Sequence, residues 1–289
     1  LFLWLHNIII LLPYTTFYPV ESKALNTSKK PVRVLSVNVF QYNKKKHLLI
    51  QLINTLKPDI LLTMESDKAW EETLNKTERL FNSLKKIPQD NTYGMHFYTT
   101  LETEYIDVNY FVAKDIPSIE ARLKTKSGEE FMFFGVHPPP PSPVEEETSK
   151  ERDADILALS RKIKQLNLPS IVVGDFNNVA WSKSSKLFKK NTQLLDPRIG
   201  RGFVSTFHAG YMFFRFPIDL VFHSKEVYIQ ELRTEKHINS DHFPVYAEFV
   251  IMPDKAKQNC TSDDVNSDEK KEIKELINEG KAVESDNRD

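Results

Sequence analysis

One cysteine, Cys260, is the only thiol in this 289-residue chain. An intramolecular disulfide and a thiolate metal site are both excluded, while the compartment stays open. A charge excess is also lacking, since the formal net charge is -1. Residues 254–289 hold 7 basic and 11 acidic side chains, which leaves 32 basic against 29 acidic in the remainder, a bias of only +3. That is not the electrostatic footprint of a strongly basic nucleic-acid binder. No internal repeat of solenoid period is present. Residues 1–18 contain no Asp, Glu, Lys or Arg, and Ile8 to Leu12 form an unbroken apolar run ended by Pro13. The run falls short of the roughly 20 apolar residues that cross a bilayer. It also lacks the basic n-region and small-residue cleavage site of a signal peptide. Residues 1–20 are therefore expected to be the truncated end of a membrane anchor, the alternative being an apolar segment packed on the domain. Residues 21–30, rich in Ser, Asn, Thr and Lys, read as a linker, residues 31–253 as the folded domain, and residues 254–289 as a polar, disordered or loosely attached tail, the alternative being a short helix at 270–277 whose apolar content is low.

What is present is a regular succession of elements. Residues 32–40 (VRVLSVNVF) have the β-branched alternation of a strand. Leu48, Leu49, Leu52, Ile53 and Leu56 recur at helical spacing, and Pro58 ends that helix. Residues 60–64 are a short buried strand, and Trp70, Leu74, Thr77, Phe81 and Leu84 predict a helix over 68–84. Strands are expected near 94–99, 105–113, 118–123 and 130–136, the last two joined by a hairpin at Gly128. Pro138 to Pro141 and Pro143 force an extended loop. A helix over 149–166, a buried strand at 169–173, a short helix near 181–190 and late strands at 216–222 and 246–251 follow. Two α/β layers with many antiparallel strands point to an α/β fold of face-to-face sheets with helices outside.

Polar groups capable of chemistry stand where these apolar strands end. Asn38 is late in the first strand. Glu65 follows residues 60–64, His137 follows 133–136, and Asp175 and Asn177 follow 171–174. Asp219 lies in the late strand, and Asp241 and His242 precede Pro244. Strand ends hold side chains on a rigid frame at one rim, where loops meet. Singly, each has a plain reading as a turn, surface or core residue. Together they make an oxygen-rich set suited to Mg²⁺ or Mn²⁺.

The stretches SVN (36–38), MES (64–66), GVH (135–137), GDFN (174–177), PIDLVF (217–222) and SDHFPV (240–245) resemble, in order and spacing, the endonuclease/exonuclease/phosphatase superfamily across residues 31–251. SKERDA (149–154) and the segment 194–209 are similar to its bacterial members tethered behind hydrophobic segments. The resemblance implies a four-layer α/β sandwich of two mainly antiparallel sheets flanked by helices, and phosphoester hydrolysis by metal-activated water. It implies Mg²⁺ or Mn²⁺ held by Glu65 with Asn38 and Asp241. Asp175 would orient or deprotonate the water, and Asn177 would hold a phosphate oxygen or support Asp175. His242 would meet the phosphate, Asp219 would fix its ring, and His137 would serve the leaving oxygen. Met64 and Val37 stand where the family often has Gln and Trp; neither replaces a ligand.

The substrate is expected to be a phosphoester, either in nucleic acid, with nuclease-like cleavage, or in a phospholipid or small molecule at a membrane surface. The near-neutral charge leans to the second. A silent binding module would have lost Glu65, Asp175 or His242, and all three are present. No protein partner is inferred. Residues 44–46 and 198–201 read as solvated basic faces, and Arg152, after the proline loop, reads first as a surface residue of a helix start, the alternative being a phosphate contact. Residues 1–18 imply membrane association, and the resemblance to tethered bacterial members implies a bacterial inner membrane. Lys23, Lys29, Lys30 and Arg33 favour the cytoplasmic side, and the tethered relatives favour the outer side.

Overall fold

The computed structural model describes residues 2–141, 149–255, 258 and 260–283. Leu1, Pro143 of the proline-rich loop and residues 284–289 of the tail lie outside them. The strands are β1 (Val32–Asn38), β2 (Ile60–Met64), β3 (Ser83–Ile87), β4 (Met95–Thr99), β5 (Glu102–Asn109), β6 (Ser118–Lys124), β7 (Glu130–Val136), β8 (Ser170–Asp175), β9 (Asp219–His223), β10 (Val227–Thr234) and β11 (Val245–Ile251). The α-helices are α1 (Phe2–Leu11), α2 (His47–Leu56), α3 (Lys68–Leu74), α4 (Lys150–Lys164), α5 (Lys183–Thr192) and α6 (Ser267–Lys281). One sheet has the order β10-β11-β1-β2-β4-β3 and the other β5-β6-β7-β8-β9.

The period of two along each strand builds the layers. Val32 and Val34 of β1 and Ile60, Leu62 and Met64 of β2 meet Phe131 and Phe133 of β7 and Ile171 and Val173 of β8 between the sheets. The alternate residues Leu35, Val37 and Leu61 lie under α2 and α3, against Leu49, Ile53 and Trp70. On the other side Phe134, Val172 and Phe222 pack on Ile156 and Leu159 of α4 and Phe188 of α5. The result is helix, sheet, sheet, helix: the four-layer α/β sandwich expected. The sheets approach closely at Gly135, where an added Cβ would stand 2.6 Å from Leu62 Cδ1.

Topology then gathers the polar strand ends. The pairs β1–β2 and β7–β8 are parallel. β11 runs antiparallel to β1, and β9 to β8. Four strands therefore finish, and two begin, at one rim of the sandwich. The inner-face period of β1, running 32, 34, 36, places Asn38 between the sheets. The same period brings His137 after Phe131, Phe133 and Gly135, and Asp175 after Ile171 and Val173.

Several expectations are corrected. The helix foreseen over 68–84 stops at Leu74, continues as a 3-10 turn over Asn75–Leu80, and gives way to strand β3. Helical spacing held only as far as Thr77, and Leu84 sits on an edge strand. Strand β10, also an edge, was not foreseen. The disordered tail contains α6 instead, which opens with a reciprocal cap: Asn266 Oδ1 accepts from Glu269 N, and Glu269 Oε2 accepts from Asn266 N, both at 2.9 Å. Ile273 and Ile277, one turn apart, bury against Leu157 and Leu187. Gly280 lets the helices touch, since a Cβ there would meet Ala154 Cβ at 2.3 Å. Within the linker, Glu21 and Ser22 are buried. Glu21 accepts from Lys189 Nζ at 2.7 Å and Asp196 N at 2.8 Å, and Ser22 Oγ pairs with His223 Nε2 at 2.7 Å. Arg198, read as part of a solvated face, is fully buried, its Nη2 2.6 Å from Asp196 Oδ2. No helix among the described residues is long and apolar enough to cross a membrane.

Candidate active site

Glycine at 174 makes the approach to the rim possible. It holds φ +153°, and a Cβ would lie 2.0 Å from Val136 O. The next residue, Asp175, is buried and central. Its Oδ2 accepts from Asn38 Nδ2 at 3.1 Å and lies 3.5 Å from His242 Nε2 and 3.9 Å from His137 Nε2. Its Oδ1 accepts from Asn177 N at 2.9 Å. Asn177 turns the chain with φ +48°, a conformation asparagine tolerates better than most residues. Its Nδ2 donates to Pro138 O at 2.9 Å. Asn38 Nδ2 also donates to Glu65 Oε1 at 2.8 Å, and Gln41 N donates to Glu65 Oε2 at 3.2 Å. Glu65 itself sits at φ +58°, so the chain turns as soon as β2 ends.

The Asp–His pair is formed. His242 Nδ1 lies 2.7 Å from Asp219 Oδ2, which leaves Nε2 facing Asp175. Ser240 Oγ donates to Asn38 O at 2.8 Å and accepts from His242 N at 3.0 Å, tying the SDH segment to the end of β1. Asp241 is held through its carbonyl, which accepts from Ala209 N at 2.6 Å. All eight residues singled out from the sequence thus stand at the rim where the strand ends converge.

Burial governs the electrostatics. It raises the Glu65 carboxyl, with Asp241 adding to the effect and Asn38 and Gln41 opposing it. It likewise lifts Asp175, against the pull of His242 and with a push from Asp219. For His242 burial disfavours the charge, but Asp219 and Asp175 outweigh it and the imidazole rises well above its usual range. His137 is held down to about 4 by burial and then by the His242 charge, so its ring is neutral at pH 7. Four carboxylates, Glu65, Asp175, Asp219 and Asp241, share the rim with one imidazolium. Among the described residues no Lys or Arg forms an ion pair with any of them. An oxygen-donor set with excess negative charge fits a hard divalent cation. One ligand atom each from Asp175, Asp219 and His242 lie within 4.8 Å of one another. The 2.7 Å hydrogen bond holds Asp219 and His242 to each other, while Glu65, Asn38 and Asp241 offer further oxygen atoms.

Other contacts at the rim were not foreseen. Met64 Sδ accepts from Asp175 N at 3.1 Å, at the position where the motif often has glutamine. The Phe207 ring lies 4.9 Å from that of His242, and Thr206 Oγ1 accepts from Asp219 N at 3.4 Å; both belong to the segment STFHA. Arg152 does not point to open space. Nη1 donates to Asn177 O at 3.0 Å, and Nε and Nη2 to Asp153 Oδ1 at 3.0 and 2.9 Å, so the guanidinium braces the Asn177 turn.

Comparisons with known proteins bear on the fold and the family. A search of curated proteins finds no match. Among solved structures, the human Nocturnin catalytic domain with bound sulfate anion aligns at TM-score 0.63 and 17% identity, over 83% of this chain and 99% of that one. TDP2 of D. rerio complexed with single strand DNA product aligns at TM-score 0.62 and 16% identity, over 77% and 100%. The Bacteroides thetaiotaomicron mannosyl-6-phosphatase aligns at TM-score 0.58 and 20% identity, over 76% and 100%. At such identities these likenesses establish the fold. The model of the Endonuclease/Exonuclease/phosphatase family matches residues 35–242, which span Asn38, Glu65, His137, Asp175, Asn177, Asp219, Asp241 and His242. A match over most of the chain, on a sandwich whose rim carries that set, means that this protein belongs to the endonuclease/exonuclease/phosphatase family, whose members are hydrolases of phosphoester bonds.

Proposed function

We propose that this chain is a phosphodiesterase dependent on Mg²⁺ or Mn²⁺. The observation that carries the reading is the buried line Asp219–His242–Asp175, with spacings of 2.7 and 3.5 Å, beside the Glu65–Asn38 pair. Glu65, Asn38 and Asp241 would hold the cation. When bound, it supplies charge neutralisation at the phosphate and a lowered pKa for water. Asp175, fixed by Asn38 and Asn177, orients the attacking water and takes its proton; its raised pKa suits a base working near neutral pH. His242 keeps a proton on Nε2 and donates it as a hydrogen bond to a phosphate oxygen as charge grows there. Asp219 fixes the ring and stabilises its charge. Neutral His137 has one N–H to offer the leaving oxygen, and Asn177 holds the position of Asp175.

For the substrate, nuclease-like cleavage is the first reading, supported by the neighbouring TDP2 structure with its single strand DNA product. A second reading, a lipid or small phosphoester at a membrane surface, is favoured by the exposed apolar side chains of residues 211–216, whose loop bridges to His242 through Phe207. Hydrolysis of plasmid DNA, single-stranded RNA, sphingomyelin, an inositol phosphate and a chromogenic phosphodiester with and without Mg²⁺ or Mn²⁺ tests both. Turnover on nucleic acid alone supports the first, and turnover on the lipid or inositol phosphate alone supports the second. Metal-independent turnover contradicts both.

A further inference from the structure

The large hydrophobic side chains left in solvent are not scattered. Thirteen of the seventeen exposed among the described residues fall within residues 4–20 and 211–216. Tyr211, Met212, Phe213 and Phe214 are consecutive and exposed by 59, 73, 85 and 73%. Apolar patches of this kind mark contact surfaces, whereas single exposed hydrophobics need no explanation.

The 211–216 loop is tied to the site on both sides. Phe207 bridges to Phe216 and to His242, and Phe207 N donates to Phe216 O at 3.1 Å. The Arg215 guanidinium lies 4.8 Å from the ring of Phe243, the neighbour of His242. The second segment roots in the same group of loops. Tyr14, just after α1, packs on Trp181 and Phe203 with ring centroids 5.3 and 6.4 Å away, and Gly200 N donates to Pro13 O at 2.8 Å. Trp181 follows the Asp175–Asn177 turn, and Phe203 precedes Thr206. Beyond those roots Trp4, Leu5, Ile8 and Ile9 of α1 stand exposed.

Charge selects the occupant. Residues 197–218 contain three arginines and no Asp or Glu, and residues 1–20 contain no acid either. Arg198 is spent on Asp196, which leaves Arg215 against the Phe243 ring and Arg201, which donates to Pro197 O at 3.1 Å, as the cations of the segment. Apolar and aromatic side chains with cationic neighbours are the composition of a segment lying in the headgroup region of a bilayer. A single-stranded nucleic acid would call for a basic groove along the backbone, and the domain's small charge bias does not supply one.

We propose that loop 211–216 inserts into bilayers bearing anionic headgroups, with α1 as a second apolar contact, so that the His242–Asp175 rim is held at the membrane surface. This deepens, and rests on, the membrane-surface reading of the site. Because one apolar anchor gives only marginal binding, removing either segment weakens attachment.

The test is flotation of the full chain with vesicles of phosphatidylcholine alone or mixed with phosphatidylglycerol. Binding to the mixed vesicles is expected, with a drop of about tenfold or more for Phe213→Ser/Phe214→Ser, two side chains that leave solvent on insertion. Both positions are exposed, so the fold is kept, which circular dichroism checks. Ile8→Ser/Ile9→Ser weakens binding as well. A polarity-sensitive dye on Phe213→Cys, in a Cys260→Ser background, shifts to the blue on mixed vesicles only. Unchanged flotation of the loop variant, or an unshifted dye, overturns the proposal. So does a variant that loses single-stranded DNA binding or self-association while still floating. No turnover is read, so a failed phosphodiesterase assay leaves this result independent.

Discussion

Asp219→Asn separates a working Asp–His pair from a merely buried one. The substitution keeps the shape but removes the charge facing His242 Nδ1 at 2.7 Å, in a pair shielded from water. A hydrogen bond to a charged group contributes about 1.5–3 kcal/mol. If that stabilisation is needed as phosphate charge grows, kcat falls roughly 10- to 150-fold. KM changes little, because the interaction strengthens after the substrate is bound. The direction of the pH effect follows from the same pair. Asp219 and Asp175 raise the His242 pKa against burial, and activity requires the protonated ring. Without Asp219 that pKa drops, so the alkaline limb of kcat moves to lower pH. Initial rates on a chromogenic phosphodiester with saturating Mn²⁺, from about pH 5 to 10, give both numbers. A kcat within twofold of wild type, or an unmoved alkaline limb, refutes the role assigned to Asp219.

The remaining predictions reach other parts of the molecule. Mg²⁺ or Mn²⁺ raises Tm of the wild type by binding the folded state alone, and Glu65→Gln abolishes this rise, read by calorimetry with and without chelator. Asp155 in α4 is lifted to about 7 by burial and then by the Glu151 charge, against about 3.9 when unfolded. Its stabilising proton is fully held below about pH 4 and is lost as pH rises through 7, at a cost of at most about 4 kcal/mol. Asp155→Asn should therefore melt above wild type at pH 8, the gap closing toward pH 4; a constant gap refutes this. Ile273→Ala and Ile277→Ala each remove a side chain buried to within 4%, costing roughly 2–5 kcal/mol and exposing α6 to limited proteolysis. Wild-type resistance would mean that the helix does not depend on that contact.

The central strands were legible because strands buried on both faces read as apolar runs. Residues 60–62 and 171–173 are such runs, each lying between a helix layer and the facing sheet. The two strands missed or misread, β3 and β10, are the edges of the six-stranded sheet. Edge strands carry charge that blunts unwanted pairing, as Lys85, Lys86, Glu231 and Arg233 do here, and the same charge erases their alternation. The site residues were visible because they continue the inner-face period of buried strands in polar form: Asn38 after Val34 and Ser36, Asp175 after Ile171 and Val173. The tail was misjudged by composition. Asn266 and Glu269 stand at the spacing of a reciprocal cap, a signal the sequence itself carries, but two isoleucines looked too few to bury a helix. Arg198 and Glu21 could not be placed, because their partners, Asp196 for one and Lys189 for the other, compensate burial only once the chain is folded. Met64 and Phe207 carry no chemical label, and only proximity to Asp175 and His242 reveals them.

The assigned site is tested most directly by the phosphodiester panel run on wild type, Asp175→Asn and His242→Ala at fixed Mn²⁺, with circular dichroism confirming that all three are folded. Metal-dependent turnover is expected in the wild type, removed by chelator and reduced at least about a hundredfold in each variant. Turnover that survives both substitutions would contradict the assignment and place the chemistry elsewhere in the molecule.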